Sequence, residues 1–212
     1  LLDVVGYNYQ EEHYETDHKA YPRRCIFGSE NGDSYGAWLA VRHNEYVAGQ
    51  FLWTGIDFQG EARRWPTRAS GAGLLDMCGF KKPIGWFRQS LWSDEPMVYL
   101  CISDRPGRSA RGMRGAEHWN WTAGRKVAIL CSTNCDEVAL TLNGKPLQAL
   151  SASEAVEGVL TCEALYEPGT LKATGRRAGR DVCEFTLQTA GPVSRVVISP
   201  DAARLRADGR DV

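Results

Sequence analysis

Residues 47–54 of this chain run Val47, Ala48, Gly49, Gln50, Phe51, Leu52, Trp53 and Thr54, mostly apolar at odd and even positions alike. A strand with one face in water alternates polar and apolar side chains, so a run without that alternation belongs to a strand covered on both faces. Residues 3–9 and 24–29 are further short apolar runs, and helix-like stretches separate the three. Within 35–44, Ala37, Trp38, Ala40 and Val41 form one apolar face, and Asp33 or Ser34 offers an N-cap. Doubly covered strands alternating with helices predict parallel pairing in an α/β architecture. Residues 55–79 read as a long loop without regular structure, followed by a helix over 82–92 with Pro83 in its first turn. Loops of that length inside a domain are usually functional.

From about Pro96 the pattern changes to short alternating strands divided by turns, over 127–132, 137–142, 158–166, 170–175, 182–189 and 193–199. Asn143-Gly144 is a hairpin signal, because both residues tolerate positive φ. Strands at this spacing without helices predict an all-β sandwich. The chain therefore divides into an α/β part over 1–93, a β-sandwich over 94–200, and a linker or the start of a further domain over 201–212. The sandwich carries its own strands and turns and is expected to fold alone, whereas the first part needs neighbours for both faces of its strands. The opening residues have no initiator Met and no basic segment before an apolar one, so the chain is expected to be a piece of a longer polypeptide.

A formal net charge of -1 supplies no field to gather nucleic acid or an anionic membrane. No apolar run approaches the roughly 18 residues that a membrane-crossing helix needs. The seven cysteines are odd in number, scattered and often flanked by apolar residues, which predicts free buried thiols of a reducing compartment. Cys131 and Cys135 lack a second ligand pair at zinc spacing, so no metal or cofactor is expected. Arg105, Arg108, Arg111 and Arg114 recur at every third position of a Gly- and Ser-rich stretch and read as a solvated loop.

With the strands of 1–93 side by side, their C-terminal ends present Asn8 and Tyr9, then Glu30, then Trp53. A carboxylate that can attack an anomeric carbon, an indole that can stack on a sugar ring and an amide that can bond a hydroxyl are the equipment of a sugar subsite. Trp119 and Trp121 hold a different possibility, a carbohydrate-binding sandwich, if the two rings are exposed and coplanar. A purely structural sandwich is the other alternative.

The runs 3–9, 26–30 closing on Glu30, and 47–57 with Trp53 and Asp57 resemble barrel strands six, seven and eight of glycoside hydrolase family 2. Asp76-Met77-Cys78-Gly79 through Pro83, and Trp86 through Trp92, resemble the end of that (β/α)8 barrel in its bacterial β-galactosidase branch. Thr133 through Val138, Leu142 through Lys145 and Tyr166 through Ala173 resemble the immunoglobulin-like sandwich that follows it. The resemblance implies a retaining glycosidase acting on β-galactoside-containing oligo- or polysaccharides, with Glu30 as nucleophile. It implies substrate contacts from Asn8, Tyr9 and Trp53, with Asp57 and the region of Glu61 lining the pocket from the last loop. Tyr7, Tyr9 and His13 are all candidates for the inward-facing ring near Glu30. The family's acid/base Glu lies on a barrel strand before Leu1, and Glu11 and Glu12 are not placed to replace it, so the piece alone is expected to be inactive. The Asn-x-Lys element by which the family's β-glucuronidases hold a carboxylate is missing from 55–79, which favours a neutral sugar over a glucuronide; β-glucuronidase and β-mannosidase of the same family are the alternatives.

Overall fold

The computed structural model describes residues 2–105, 113–200, 202, 204 and 209. Three parallel strands come first, β1 (Val4–Asn8), β2 (Cys25–Asn31) and β3 (Val47–Leu52), in the order β1-β2-β3. Parallel neighbours need a crossover, and both crossovers are helical. A 3-10 turn (Glu11–His13) and α1 (Tyr14–Ala20) join β1 to β2, and α2 (Tyr35–Arg42) joins β2 to β3. Of the two candidate caps for α2, Ser34 takes the role, accepting a hydrogen bond from the Ala37 amide at 3.1 Å. Tyr14, Ile26 and Val47 form a small core between strands and helices, with Val5, Tyr7 and Val41 packed on it.

The strands are apolar on two faces, but only one is covered here. Phe27 and Phe51 meet edge to face at 5.9 Å outside that core, and Phe51 is 67% exposed. Beside them both side-chain polar atoms of Gln50 are buried with no partner among the described residues.

Residues 55–79 are more ordered than their sequence suggests. They contain a small hairpin of β4 (Phe58–Gln59) and β5 (Ala69–Ser70), and backbone bonds tie Leu74 to Thr54 and Leu75 to Gly55. Two-residue strands are too short to show a period, so the pattern reads as loop. The following helix, α3 (Pro83–Trp92), has its proline at the first turn as expected.

The second part has β6 (Val98–Ser103), β7 (Lys126–Thr133), β8 (Glu137–Leu142), β9 (Lys145–Ser151), β10 (Leu160–Leu165), β11 (Thr170–Arg177) and β12 (Arg180–Gln188). They form antiparallel sheets β10-β7-β6 and β12-β11-β8-β9. One core cluster draws on both, including Leu100, Ile129, Val138, Leu140, Leu160 and Leu171. Asn143 and Gly144, at φ of 53° and 76°, make the predicted hairpin turn between β8 and β9. Trp119 is completely buried in this core and its indole N–H donates to the Glu167 carbonyl at 3.0 Å, while Trp121 packs against the same cluster. The exposed coplanar pair that would mark a carbohydrate-binding sandwich is therefore not formed by these two rings.

Three expectations for this part need correction. Residues 193–199 form no strand, and Val193, Val196, Val197 and Ile198 are all exposed. Their β-branched side chains favour extended backbone, but no sheet edge among the described residues pairs with them. Strand β6 was missing from the predicted set because Val98 through Ile102 are all buried, leaving no alternation to detect. The boundary at 93/94 separates elements but not cores. Ile84 and Phe87 of α3 share one cluster with Met97, Tyr99, Cys101, Ala128 and Leu130 on the outer face of the β6-containing sheet. The Arg run falls partly outside the described residues, with Arg108 and Arg111 among those not described. Residues 201–212 likewise lie almost entirely outside them.

All seven cysteines are free, with Cys101, Cys131, Cys135 and Cys162 buried, Cys183 half-buried, and Cys25 and Cys78 exposed. Burial pushes the Cys101 thiol up to about 12 and also raises those of Cys131 and Cys162. A thiol kept protonated by the fold stabilises it fully below the unfolded pKa of about 8.5. That contribution is lost as pH rises from there through the folded pKa, at up to about 1.4 kcal/mol per pH unit for each such thiol. The urea midpoint is thus expected to fall between pH 8 and pH 10.5, with a shallower fall in Cys101→Ala. A midpoint that does not move with pH would mean that these thiols ionise as readily in the folded chain as in the unfolded one.

Candidate active site

The C-terminal ends of the three parallel strands lie level. Asn8 pairs with Glu30, the Tyr9 amide donates to the Glu30 carbonyl at 2.8 Å, and the Trp53 amide donates to the Asn31 carbonyl at 3.0 Å. Glu30 is half-buried in the last turn of β2, with Asn8 exposed beside it. The strand end is held from below by Asn31, which is completely buried and whose amide donates to the Glu11 carboxylate at 2.7 Å and to the Tyr14 hydroxyl at 3.2 Å. Its amide lies over Gly28 so closely that a Cβ there would fall 1.6 Å from Oδ1, so only glycine leaves room at that position.

The three aromatic candidates separate clearly. Tyr7 turns toward α1, where its hydroxyl donates to Asp17 and its ring meets Tyr14 edge-on. His13 is more than half exposed, 3.9 Å from Glu12. Tyr9 has left the strand, at φ of 50°, which brings its phenol beside the Glu30 side chain. Burial first, then the neighbouring Glu30 carboxylate, push the Tyr9 phenol up to about 12. The phenol therefore keeps its proton at neutral pH.

Tyr9 and Trp53 open into a cavity of about 900 Å³. Its other walls are Asp33 after β2, Glu61, Arg63 and Gly71 to Gly73 from the 55–79 segment, and Met113, Arg114 and Glu117 from the connection between β6 and β7. Trp53 is 38% exposed, and its ring stands edge-on to Phe58 of the hairpin at 5.7 Å. Asp57 does not line the cavity. Its carboxylate accepts from the Gly73 amide at 2.8 Å and from Lys82 Nζ at 2.7 Å, and Lys82 also donates to the Gly71 carbonyl at 2.9 Å. Asp57 and Lys82 thus clamp the segment that forms one wall. Glu61 does line the cavity, whereas Glu11 is engaged with Asn31 and Glu12 with solvent and His13.

Two residues that sequence reasoning passed over belong to this arrangement, Asn31 and Lys82. Neither has a local signature, since their partners lie at Glu11, Tyr14, Asp57 and Gly71. Arg114 of the predicted solvated loop also reaches the cavity wall, 3.9 Å from Asp33.

A carboxylate beside a phenol, a half-open indole and a polar-walled cavity suit a sugar ring. Comparison with known proteins agrees with that chemistry. Residues 124–183 match the model of a family described as a domain of unknown function, DUF4982. The β-galactosidase BoGH2A of Bacteroides ovatus is 34% identical over 175 residues, which is 81% of this chain and 19% of the relative. A putative β-glucuronidase of Formosa agariphila is 32% identical over 181 residues, covering 81% of this chain and 16% of the relative. The crystal structure of a glycosyl hydrolase family 2 member from Bacteroides cellulosilyticus superposes with a TM-score of 0.82 at 31% identity, over 98% of this chain and 30% of that one. This chain spans less than a third of the length of each, and by both sequence and fold it belongs to glycoside hydrolase family 2.

Proposed function

We propose that residues 1–93 are the last third of the (β/α)8 catalytic barrel of a retaining β-galactosidase and residues 94–200 an immunoglobulin-like sandwich packed against it, with Glu30 as nucleophile. The observation that carries this is that Asn8, Tyr9, Glu30 and Trp53 all stand at the level C-terminal ends of three parallel strands, the edge where such barrels place their chemistry. In support of the barrel, helices cover one face of β1-β2-β3, while Phe27 and the exposed Phe51 meet on the open face, where a closed barrel would enclose them. In support of the sandwich, antiparallel sheets of three and four strands share one core.

In this reading the Glu30 carboxylate attacks the anomeric carbon as the glycosidic bond breaks, and a carboxylic acid from elsewhere in the barrel protonates the leaving oxygen. Water then cleaves the glycosyl ester, returning Glu30 as carboxylate and leaving the product with retained configuration. Tyr9 fixes the orientation of the carboxylate before attack, Trp53 offers its face to the apolar side of the ring, and Asn8 is placed to bond a hydroxyl. Asp57 contributes by holding the wall rather than by touching sugar.

A β-glucuronide is the second reading, favoured by the name of the Formosa agariphila relative and by Arg63 and Arg64 at the cavity. The full-length enzyme, assayed on 4-nitrophenyl β-galactoside and β-glucuronide with the product anomer followed by NMR, should prefer the galactoside and release the β-anomer first. Preference for the glucuronide would select the second reading, and first release of the α-anomer would overturn a retaining mechanism.

A further inference from the structure

We propose that the tip of the β4–β5 hairpin forms an outer subsite that selects an anionic sugar unit, one carrying a sulfate ester or a carboxylate, next to the galactosyl residue. The proposal rests on the glycosidase reading above. The hairpin is rooted at the candidate sugar site, because Phe58 at the start of β4 packs edge-on against Trp53 at 5.7 Å. Pairing of Phe58 with Ser70 and Gln59 with Ala69, then the Gly60 amide on the Arg68 carbonyl at 3.2 Å, carries the chain outward from there. At the tip stands Trp65, 75% exposed, with the Arg68 guanidinium 5.0 Å from its ring centroid. Its neighbours Arg63 and Arg64 line the cavity. The hairpin therefore packs at its root against the Trp53 indole of the cavity and carries at its tip a second, cation-flanked indole next to the cavity-lining Arg63 and Arg64.

The charges of the cavity divide in a way that leaves the rim basic. Lys82 is paired with Asp57, Arg114 lies 3.9 Å from Asp33, and Glu117 accepts the Tyr99 hydroxyl at 2.6 Å. Glu61, exposed on the same hairpin, lies close enough to the Tyr9 phenol to act on it, and its one negative charge stands against Arg63, Arg64 and Arg68. Arg63 and Arg64 have no ion-pair partner among the described residues. A guanidinium binds a carboxylate or sulfate through paired, charge-assisted hydrogen bonds, and an exposed indole face accepts the apolar side of a pyranose beside it. Neutral sugar alone would need the indole but not the two arginines.

The test uses the full-length enzyme and four substrates: 4-nitrophenyl β-galactoside, a neutral galactosyl disaccharide, and the same disaccharide with either a sulfate ester or a uronic acid in its second residue. The ratio of kcat/KM for a charged over the neutral disaccharide should exceed one and fall as salt is raised. It should drop about tenfold in Arg63→Ala or Arg64→Ala, with partial recovery in Arg64→Lys. Trp65→Ala should lower both disaccharides relative to the aryl galactoside. Whichever charged disaccharide shows the larger ratio identifies the anion. Melting temperatures of the variants establish that they are folded, as expected for exposed positions. A ratio insensitive to both arginines and to salt would overturn the subsite. Failure of the wild-type enzyme on all four substrates would instead overturn the galactosidase reading beneath it.

Discussion

Glu30→Gln, made in the polypeptide that joins this segment to the rest of its barrel, is expected to lower kcat on an aryl β-galactoside by on the order of 10⁴-fold or more. The substitution replaces one carboxylate oxygen by an amide nitrogen and removes the attacking charge, while volume and backbone pairing are retained. The Tyr9 phenol beside Glu30 keeps a possible acceptor in the amide carbonyl, so the folded state should be nearly unchanged. Melting temperature and circular dichroism should therefore stay close to wild type while turnover is lost. In the unmodified enzyme a 2-fluoro-galactosyl inactivator slows breakdown of the glycosyl ester, and digestion should recover the label on the peptide containing Glu30. Recovery of the label on another carboxylate, or substantial turnover by Glu30→Gln, would remove Glu30 from the role of nucleophile.

The position of Glu30 at a strand end was legible because β2 is an apolar run with a polar close, and β8 was legible to the residue because its burial alternates strictly. What surrounds Glu30 was not. Tyr7 and Tyr9 share one parity in a strand, so pattern alone sends both the same way. The positive φ at Tyr9 breaks that parity, turning Tyr9 to Glu30 while Tyr7 bonds Asp17. The resemblance implies Asp57 as a pocket residue, and what holds its carboxylate, Lys82, is 25 residues away. Pairings at that separation leave no trace in local pattern. The β4–β5 hairpin escaped for the opposite reason, being too short for any period, although its Trp65-Pro66 turn sits between candidate sugar-facing residues. Residues 193–199 show the converse failure, since strand propensity makes no strand where the backbone pairs with no sheet edge.

The sandwich is expected to fold cooperatively only when α3 stays attached to it. Alternation along β8, β10 and β11 describes a core between two sheets, and from that pattern residues 94–200 look self-sufficient. The outer face of β6 and β7 is also apolar, however, and Tyr99, Cys101, Ala128 and Leu130 on that face pack against Ile84 and Phe87, with Leu91 alongside. Trp86 stacks on Tyr99 at a centroid distance of 5.2 Å. Each fully buried side chain of this size contributes about 1.5–3 kcal/mol, so cutting at residue 94 removes several kcal/mol from a fold whose total is about 5–15 kcal/mol. It also exposes an apolar patch that invites self-association. Residues 94–200 should accordingly bind a hydrophobic dye, aggregate or melt without a sharp transition, while a piece beginning at residue 82 should give a single cooperative melt at clearly higher temperature. Residues 1–93 should be insoluble or molten, because Phe51 and its neighbours lack cover and α3 would lose the sheet it packs on. Equal melting temperatures for the pieces starting at 82 and 94 would show that the face under α3 is dispensable and that the domain boundary lies at 93/94 after all.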